Sequence, residues 1–503
     1  MIEKIILPNG VRVLSEHIPH VRSASVGVWI GNGSRYESAD ESGMSHFLEH
    51  MLFKGTATRT ASQLASEMDA LGGQFNAFTT KECTSFYFRA LDTDLIPGIT
   101  LLGDILLNSA FPEAELGIER GVIDEEIGMY EDTPDELCTE RLFNAVYPGS
   151  PLGFSILGDR AALDRVTPGS MRAYFDTHYV SSNIVVAISG NFDQRTLEFL
   201  RETFAGVKAA PSPVYVPAVY CPADTTREKP LEQNHICLGF QGFPFGVPER
   251  YAAQIFSSIL GGGMSSRLFR KVREENGLCY SIYTFQSSHA DTGVSGVYVA
   301  TGQKTQSAAL DMIRAETLRL TSDGPTPEEL ERVRGQIKAN VLMGLESTVS
   351  RMNHMARSEL LLGYVPTQDE IVAKYDEVTM ERCVDTGRRL FDFATGSSSV
   401  VGRVSWQLKY GRYAMDLNAY RDEVKAFLQR MNAADEGIAT KLKFLEEEFA
   451  LLKSAASVGD TEKIRHQVYD MLFQLFTVAA EYDFDLVAEW NMGRERKEQK
   501  YIE

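Results

Sequence analysis

The most informative segment of this chain is Gly43-Met44-Ser45-His46-Phe47-Leu48-Glu49-His50-Met51-Leu52-Phe53-Lys54-Gly55. At helical spacing, His46 and His50 stand one turn apart on one face, with Glu49 beside them. Two imidazoles placed in this way can hold one zinc ion from a single rigid helix, at about 2.0–2.1 Å from each nitrogen. Glu49 would then accept a proton from a water whose pKa zinc lowers toward about 7. The segment therefore predicts a zinc-binding helix.

The order His-x-x-Glu-His is the inverted form of the zincin motif. An amphipathic helix with two ordinary histidines is the alternative, but both histidines share their face with a carboxylate, which favours the metal site. Two histidines leave a catalytic zinc one protein ligand short of the usual three. The predicted helix Pro112–Glu131 offers acidic donors, and spacing alone does not choose among them, because most fit a solvated acidic face. The candidates are Glu113, Glu115, Glu119, Asp124, Glu125, Glu126 and Glu131.

Three features together resemble the M16 metallopeptidases, the family of pitrilysin, insulysin and the mitochondrial processing peptidase. They are the His-x-x-Glu-His motif, the strand Phe75-Asn76-Ala77-Phe78-Thr79, and Glu126, which follows His50 by 76 residues (126 − 50). The resemblance covers roughly residues 1–405. It implies an α+β fold in which two similar α/β-roll halves face each other across a chamber, as in a clamshell.

The resemblance also implies roles for individual residues. His46, His50 and Glu126 bind one zinc ion per chain, and Glu49 is the general base. Glu119 lies seven residues before Glu126, nearly two helical turns, so both would share a helical face. The resemblance gives Glu119 a supporting catalytic role, for which Glu125 is the alternative.

The composition bounds the class of protein. A length of 503 residues predicts two to four domains, and 44% apolar with 24% charged residues is typical of a soluble globular chain. A net charge of −19 disfavours nucleic acid or an anionic membrane as a partner. The six cysteines show no Cys-x-x-Cys spacing, and the N-terminus lacks the apolar run of a signal peptide. We therefore expect a cytoplasmic protein with reduced thiols.

The order of predicted elements recurs after a Pro-rich segment. Residues 1–208 form the predicted zinc-binding domain, and residues 209–230 form a linker by their proline and small-residue content. Residues 231–405 repeat the strand and helix layout without the His-x-x-Glu-His motif. The sequence thus predicts an internal duplication in which only the first copy binds metal.

The second half carries Arg273 and Tyr280, seven residues apart. In the M16 family, an arginine and a tyrosine at this spacing reach across to the substrate, and this pair matches. A guanidinium and a phenol suit the binding of a carbonyl on which negative charge develops. Without the family resemblance, a surface arginine and a packed tyrosine would be the preferred interpretation.

Residues 415–503 change to helical sequence with no strand signal. This tail resembles a MazG-type all-α nucleotide pyrophosphohydrolase module, in which carboxylate pairs hold magnesium. The match is incomplete: Asp470 fits, but Gln467 stands where a carboxylate is needed, and Glu447 and Glu448 lack acidic partners three residues later. Mg²⁺ binding is therefore doubtful, and a degenerate module for dimerisation or partner binding is the favoured interpretation.

These observations predict a zinc metalloendopeptidase that cleaves unfolded or extended polypeptides. The peptide would add as a strand beside Phe75, Asn76 and Ala77. The alternatives are a non-catalytic scaffold or partner subunit, and nucleoside triphosphate pyrophosphohydrolysis by the tail. By resemblance alone, we expect a homodimer or a heterodimer with a related subunit.

Overall fold

The computed structural model describes residues 2–403 and parts of the tail, namely 421–422, 424–425, 428, 437–457, 460–482, 485–486 and 489. The contacts divide the chain into two compact units, Met1–Lys409 and Tyr410–Glu503. The first unit holds both predicted halves, and the second unit is the tail.

The first half is built on a six-stranded sheet with the strand order β1-β2-β6-β3-β5-β4. Strand β4 pairs only with β5, in an antiparallel register, and so forms one edge of this sheet. The strands are β1 (Ile2–Ile6), β2 (Arg12–His17), β3 (Ser23–Ile30), β4 (Gln74–Thr79), β5 (Thr84–Leu91) and β6 (Ile184–Gly190). The helices are α1 (Met44–Leu52), α2 (Ala61–Ala70), α3 (Leu95–Leu107), α4 (Glu113–Glu131), α5 (Pro134–Val146), α6 (Arg160–Leu163), α7 (Pro168–His178) and α8 (Gln194–Phe204).

The second half is built on a five-stranded sheet with the order β7-β11-β8-β10-β9. The predicted linker 209–230 contains β7, which pairs in parallel with β11 and so belongs to this sheet. The strands are β7 (Asp224–Glu228), β8 (Gln233–Gln241), β9 (Cys279–Ser288), β10 (Gly293–Gly302) and β11 (Ser397–Gly402). The helices are α9 (Glu249–Gly261), a π-helical segment Phe269–Glu275, α10 (Gln306–Asp323), α11 (Pro327–Gly344), α12 (Thr348–Leu362), α13 (Gln368–Asp376) and α14 (Met380–Leu390). The prediction of two similar α+β halves is confirmed.

Each half covers the other half's sheet with a helix. Helix α12 of the second half packs on the first sheet, where Met352 lies against buried Trp29 and Val185. Helix α5 of the first half packs on the second sheet, where Leu142 lies against residues of β8 and β11. Two strand glycines permit this approach, because a Cβ at Gly27 would lie 2.7 Å from Met352 Sδ and one at Gly239 would lie 2.7 Å from Leu142 Cδ2. The two halves are therefore joined by exchanged packing.

Buried ion pairs reinforce this junction. Arg35 is only 2% exposed, and its guanidinium contacts Glu82 of the first half and Asp291 of the second half, each at 2.6 Å. The guanidinium also lies 3.8 Å from the ring centroid of Tyr215, in the segment that connects the halves. Arg35 thus ties three separate parts of the chain together.

The described part of the tail contains two helices, α15 (Ile438–Ser457) and α16 (Thr461–Tyr482). They contact each other, and Lys441 Nζ lies 2.5 Å from Glu481 Oε2. These helices agree with the predicted all-α tail. The predicted helix that opens at 416–420 and most of the predicted helix 486–493 lie outside the described residues. Among the helices that the structure describes, none combines the length and apolarity needed to cross a membrane.

Candidate metal centre

Helix α1 presents the metal-binding face because its other face is buried. Phe47, Leu48, Met51 and Leu52 are fully buried, which turns the histidines toward α4. The carboxylate of Glu37 caps the N-terminus of this helix by accepting hydrogen bonds from the backbone N–H groups of residues 43 and 45, at 2.8 and 2.7 Å. The helix that carries the motif is therefore held at both its apolar face and its first turn.

Helix α4 brings Glu126 to both histidines. Its Oε2 atom lies 3.6 Å from His46 Nε2 and 3.8 Å from His50 Nε2, and the three ligand atoms lie within 4.8 Å of one another. This Oε2 is buried and has no hydrogen-bond partner among the described residues. Two imidazoles and one carboxylate are the donor set of a catalytic zinc site, and a metal ion would satisfy the unpartnered oxygen. The residues therefore fit zinc.

Glu119 contacts His50 of this cluster, and Lys54 contacts Glu119. Glu119 is 3% exposed, and its Oε2 lies 3.0 Å from His50 Nδ1 while its Oε1 lies 2.7 Å from Lys54 Nζ. A carboxylate on Nδ1 favours the tautomer that leaves Nε2 free for the metal. Glu125, the alternative candidate for this position, is exposed. The structure thus places Glu119 against the histidine.

Burial sets the protonation states around the cluster. Desolvation, with the neighbouring His50 as the second cause, lowers the pKa of His46 to about 4, so this imidazole is neutral at pH 7, as a metal ligand must be. Desolvation also raises the pKa of Glu49, while the hydrogen bond from Thr79 and the charge of His50 oppose that shift.

Glu49 faces two cavities that follow strand β4. A cavity of about 460 Å³ is lined by residues of both halves, including His46 of α1 and His289 after β9. A second cavity, of about 740 Å³, extends along β4 past His50. Glu49 and Ala77 line both cavities. A cleft therefore runs along the edge strand and past the carboxylate.

The predicted peptide-binding residues lie on this edge. Phe75 stacks on Phe88 of β5 with ring centroids 5.0 Å apart, which anchors the strand. The backbone N–H of Ala77 donates to the side-chain Oδ1 of Asn76 at 2.8 Å. This N–H thus has a side-chain acceptor within its own strand, which an added strand would have to displace.

Arg273 and Tyr280 contact each other near the start of β9. The guanidinium lies 5.0 Å from the Tyr280 ring centroid, and Tyr280 is 72% exposed. Tyr280 stands near the start of β9, whereas Ser287 near its end lines the smaller cavity. Seven residues of extended strand span about 23 Å. Among the described residues that line the two cavities beside β4, neither Arg273 nor Tyr280 is found.

The described tail does not gather a comparable cluster. Asp470 Oδ2 lies 3.3 Å from His466 Nε2, and Glu447 Oε1 lies 3.9 Å from Lys443 Nζ. In the part of the chain that the structure describes, the metal-type cluster of histidine, cysteine or carboxylate groups is the one formed by His46, His50 and Glu126. Among the described residues of α15 and α16, no such three-residue cluster is found.

Three residues of this centre were not identified from the sequence. Lys54 follows His50 by one helical turn, and that spacing was a usable signal. Glu37 and Thr79 reach α1 from other segments, so no periodicity in the chain indicated their contacts.

The chain is similar to known proteins over both halves. Residues 12–160 match the family model "Insulinase (Peptidase family M16)", and residues 165–337 match "Peptidase M16 inactive domain". An uncharacterized zinc protease, YmxG of Bacillus subtilis (strain 168), is 39% identical over 408 residues, which are 80% of this chain and all of that protein. An uncharacterized zinc protease of Rickettsia felis is 35% identical and covers 79% of this chain and 96% of its own length.

Solved structures share the fold. The peptidase M16 inactive domain from Pseudomonas fluorescens superposes with a TM-score of 0.75 at 18% identity, covering 80% of this chain and 98% of that chain. A protease from Helicobacter pylori gives a TM-score of 0.73 at 20% identity, covering 80% and 99%. The similarity thus spans about four fifths of the chain.

Proposed function

Because this chain belongs to the M16 insulinase family of zinc proteases, we propose that it is a zinc-dependent endopeptidase that cleaves extended or unfolded polypeptides. The observation that carries this proposal is the convergence of His46, His50 and Glu126 beside Glu49, at the open edge of β4. A metal-ligand set, a carboxylate base and a free strand edge are the parts that peptide hydrolysis requires.

Zinc, when bound by this cluster, supplies a Lewis acid and lowers the pKa of water. Residues of the chain bind the peptide, transfer the proton and orient the metal ligand. Strand β4 holds the peptide extended through backbone hydrogen bonds, which accounts for tolerance of many side chains. Glu49 accepts the proton of the attacking water and returns it to the leaving amine. Glu119 keeps His50 in the metal-binding tautomer.

Arg273 and Tyr280 would serve the metal centre of a second copy in this proposal. Tyr280 is exposed and stands about 23 Å along β9 from Ser287, which lines the smaller cavity of its own copy, so we assign the pair to an intermolecular contact. Their N–H and O–H groups would stabilise negative charge on the substrate carbonyl. A homodimer is therefore expected of the active enzyme, with a related subunit as the alternative partner.

The tail is assigned a partner-binding role in this proposal. Apolar side chains remain exposed on both of its described helices, and no carboxylate cluster forms there among the described residues. The exposed residues include Leu442, Phe449, Leu472 and Leu475.

The test combines metal analysis with proteolysis by the full chain. We expect about one zinc per chain and cleavage of a set of unstructured peptides that stops when 1,10-phenanthroline is added. Glu49→Gln should bind zinc normally and lose cleavage, whereas Glu113→Gln, on the exposed first turn of α4, should retain both. Cleavage by Glu49→Gln at the wild-type rate would refute the mechanism. Stoichiometric zinc without cleavage would favour the non-catalytic subunit instead.

A further inference from the structure

We propose that Thr79 is a positioning residue, whose hydroxyl group on the peptide-binding edge strand holds the carboxylate of Glu49 in the orientation needed to accept a proton. This inference rests on the proposed peptidase function and adds a residue to its machinery. Thr79 is the last residue of β4, and its Oγ1 donates to Glu49 Oε2 at 2.5 Å. Hydrogen bonds from a hydroxyl to a charged carboxylate are among the shorter and stronger ones.

The contact fixes one oxygen of Glu49 and leaves the other available. Among the described residues, this carboxylate accepts a hydrogen bond from Thr79. Glu49 lines both cavities beside β4, so the oxygen that does not bind Thr79 can face the cleft. A carboxylate anchored at one oxygen cannot rotate freely about its last bond, and this restriction is what a general base needs.

Thr79 is itself held in place. It pairs with Thr84 across β4 and β5, and Thr84 Oγ1 donates its own hydrogen to the backbone oxygen of Asn32 at 2.9 Å. The proton of Thr84 is therefore committed to that oxygen, and the Thr79 hydroxyl is directed to Glu49. Because a β-branched side chain has few rotamers, the anchor is stiff.

A similar hydrogen bond from an edge-strand threonine to a helix occurs in the second half, but its acceptor is not a carboxylate. Thr284 on the edge strand β9 donates to the backbone oxygen of Ser257 on α9, at 2.8 Å. In each half, a threonine on the edge strand is thus bonded to the helix that packs against it. In the first half, the acceptor is the base itself, so the strand that receives the peptide also orients the group that acts on it.

A positioning role has a different signature from a structural one. Thr79→Val keeps the shape of the side chain and removes the hydroxyl, so the peptide and the metal should bind as before while the base loses its orientation. A misplacement of about 1 Å can lower a rate about 100-fold. We therefore expect kcat of Thr79→Val to fall by about 10- to 100-fold, with KM and the zinc Kd unchanged within about threefold. Thr79→Ser retains the hydroxyl and should recover most of kcat.

The experiment uses the full chain and one unstructured peptide that the wild type cleaves. The measurements are kcat and KM, the zinc Kd by competition with a chromophoric chelator, and the melting temperature. Thr284→Val is the matched control, because it removes the equivalent hydroxyl from the half without the metal cluster, and it should behave as the wild type.

Each outcome decides the inference. A selective loss of kcat in Thr79→Val, with recovery in Thr79→Ser, supports it. Wild-type kcat in Thr79→Val, an equal loss in Thr79→Ser, or a loss that accompanies weaker zinc binding or a lower melting temperature overturns it. If the wild type binds zinc and cleaves no better than Glu49→Gln, the proposed function fails and this inference fails with it. An active wild type beside an unaffected Thr79→Val removes the inference alone.

Discussion

Replacement of Arg35 by methionine tests whether the buried ion pairs hold the two halves together. The Arg35 side chain is 1% exposed and contacts Glu82 and Asp291, so Arg35→Met removes the cation from two acidic side chains that are only 11% and 20% exposed. The methionine fills much of the volume of the arginine stem. The loss of stability is therefore mainly electrostatic. The contact between the guanidinium and the Tyr215 ring is lost as well.

The expected magnitude follows from the burial of the partners. Removal of one member of a buried ion pair costs about 3–5 kcal/mol, because the remaining charge stays desolvated without its counter-ion. The entropy of unfolding is about 2.1 cal/mol/K per residue. For the unit Met1–Lys409, this corresponds to about 0.9 kcal/mol/K, if the exchanged helices make the unit unfold cooperatively. The melting temperature should therefore fall by about 3–6 °C.

The assay is thermal unfolding followed by circular dichroism or calorimetry, with Arg22→Met as the matched control. Arg22 also pairs with an aspartate, Asp92, but its side chain is 78% exposed, so its loss should change stability by about 1 kcal/mol or less. Equal shifts for Arg35→Met and Arg22→Met would refute the argument that the buried pairs join the halves.

Three further predictions follow from other contacts. Desolvation raises the pKa of Glu37 from 4.5 to about 7, so the folded chain binds one proton more than the unfolded chain between these pH values. The free energy of unfolding should therefore fall by up to about 3 kcal/mol as the pH rises from 4.5 to 7. Glu37→Gln should flatten this dependence of stability on pH in melting curves, and an unchanged dependence would contradict the prediction. Gly239→Val should push Leu142 of α5 off the second sheet, because the added side chain would clash with it. The free energy of unfolding, measured with urea, should fall by about 1–3 kcal/mol. Wild-type stability would show that the sheet tolerates the clash. Ala77→Pro should lower kcat/KM for extended peptides while zinc stoichiometry stays the same, because it removes a backbone N–H from the edge strand. Unchanged kinetics would exclude strand addition at this position.

Local sequence patterns predicted the elements of this protein. The helical spacing of His46, Glu49 and His50 predicted one metal-binding face, and α1 has that form because its apolar residues are buried on the opposite side. The threonine and aromatic content of residues 74–88 predicted one long strand or a hairpin, and the structure shows the antiparallel pair of β4 and β5. These features depend on neighbours within a few residues, so a single chain displays them.

The sequence by itself therefore determined the motif helix, the strands and the duplicated order, with Glu126 supplied by family resemblance. Only the tertiary structure decided that α5 and α12 exchange sheets, that β7 emerges from the Pro-rich linker, and that the Arg35 ion pairs join the halves. It also brought Thr79 to Glu49 and Arg273 to the ring of Tyr280. The physical reason is that each of these contacts joins residues distant in sequence, whose meeting depends on how whole sheets and helices pack and not on any local periodicity.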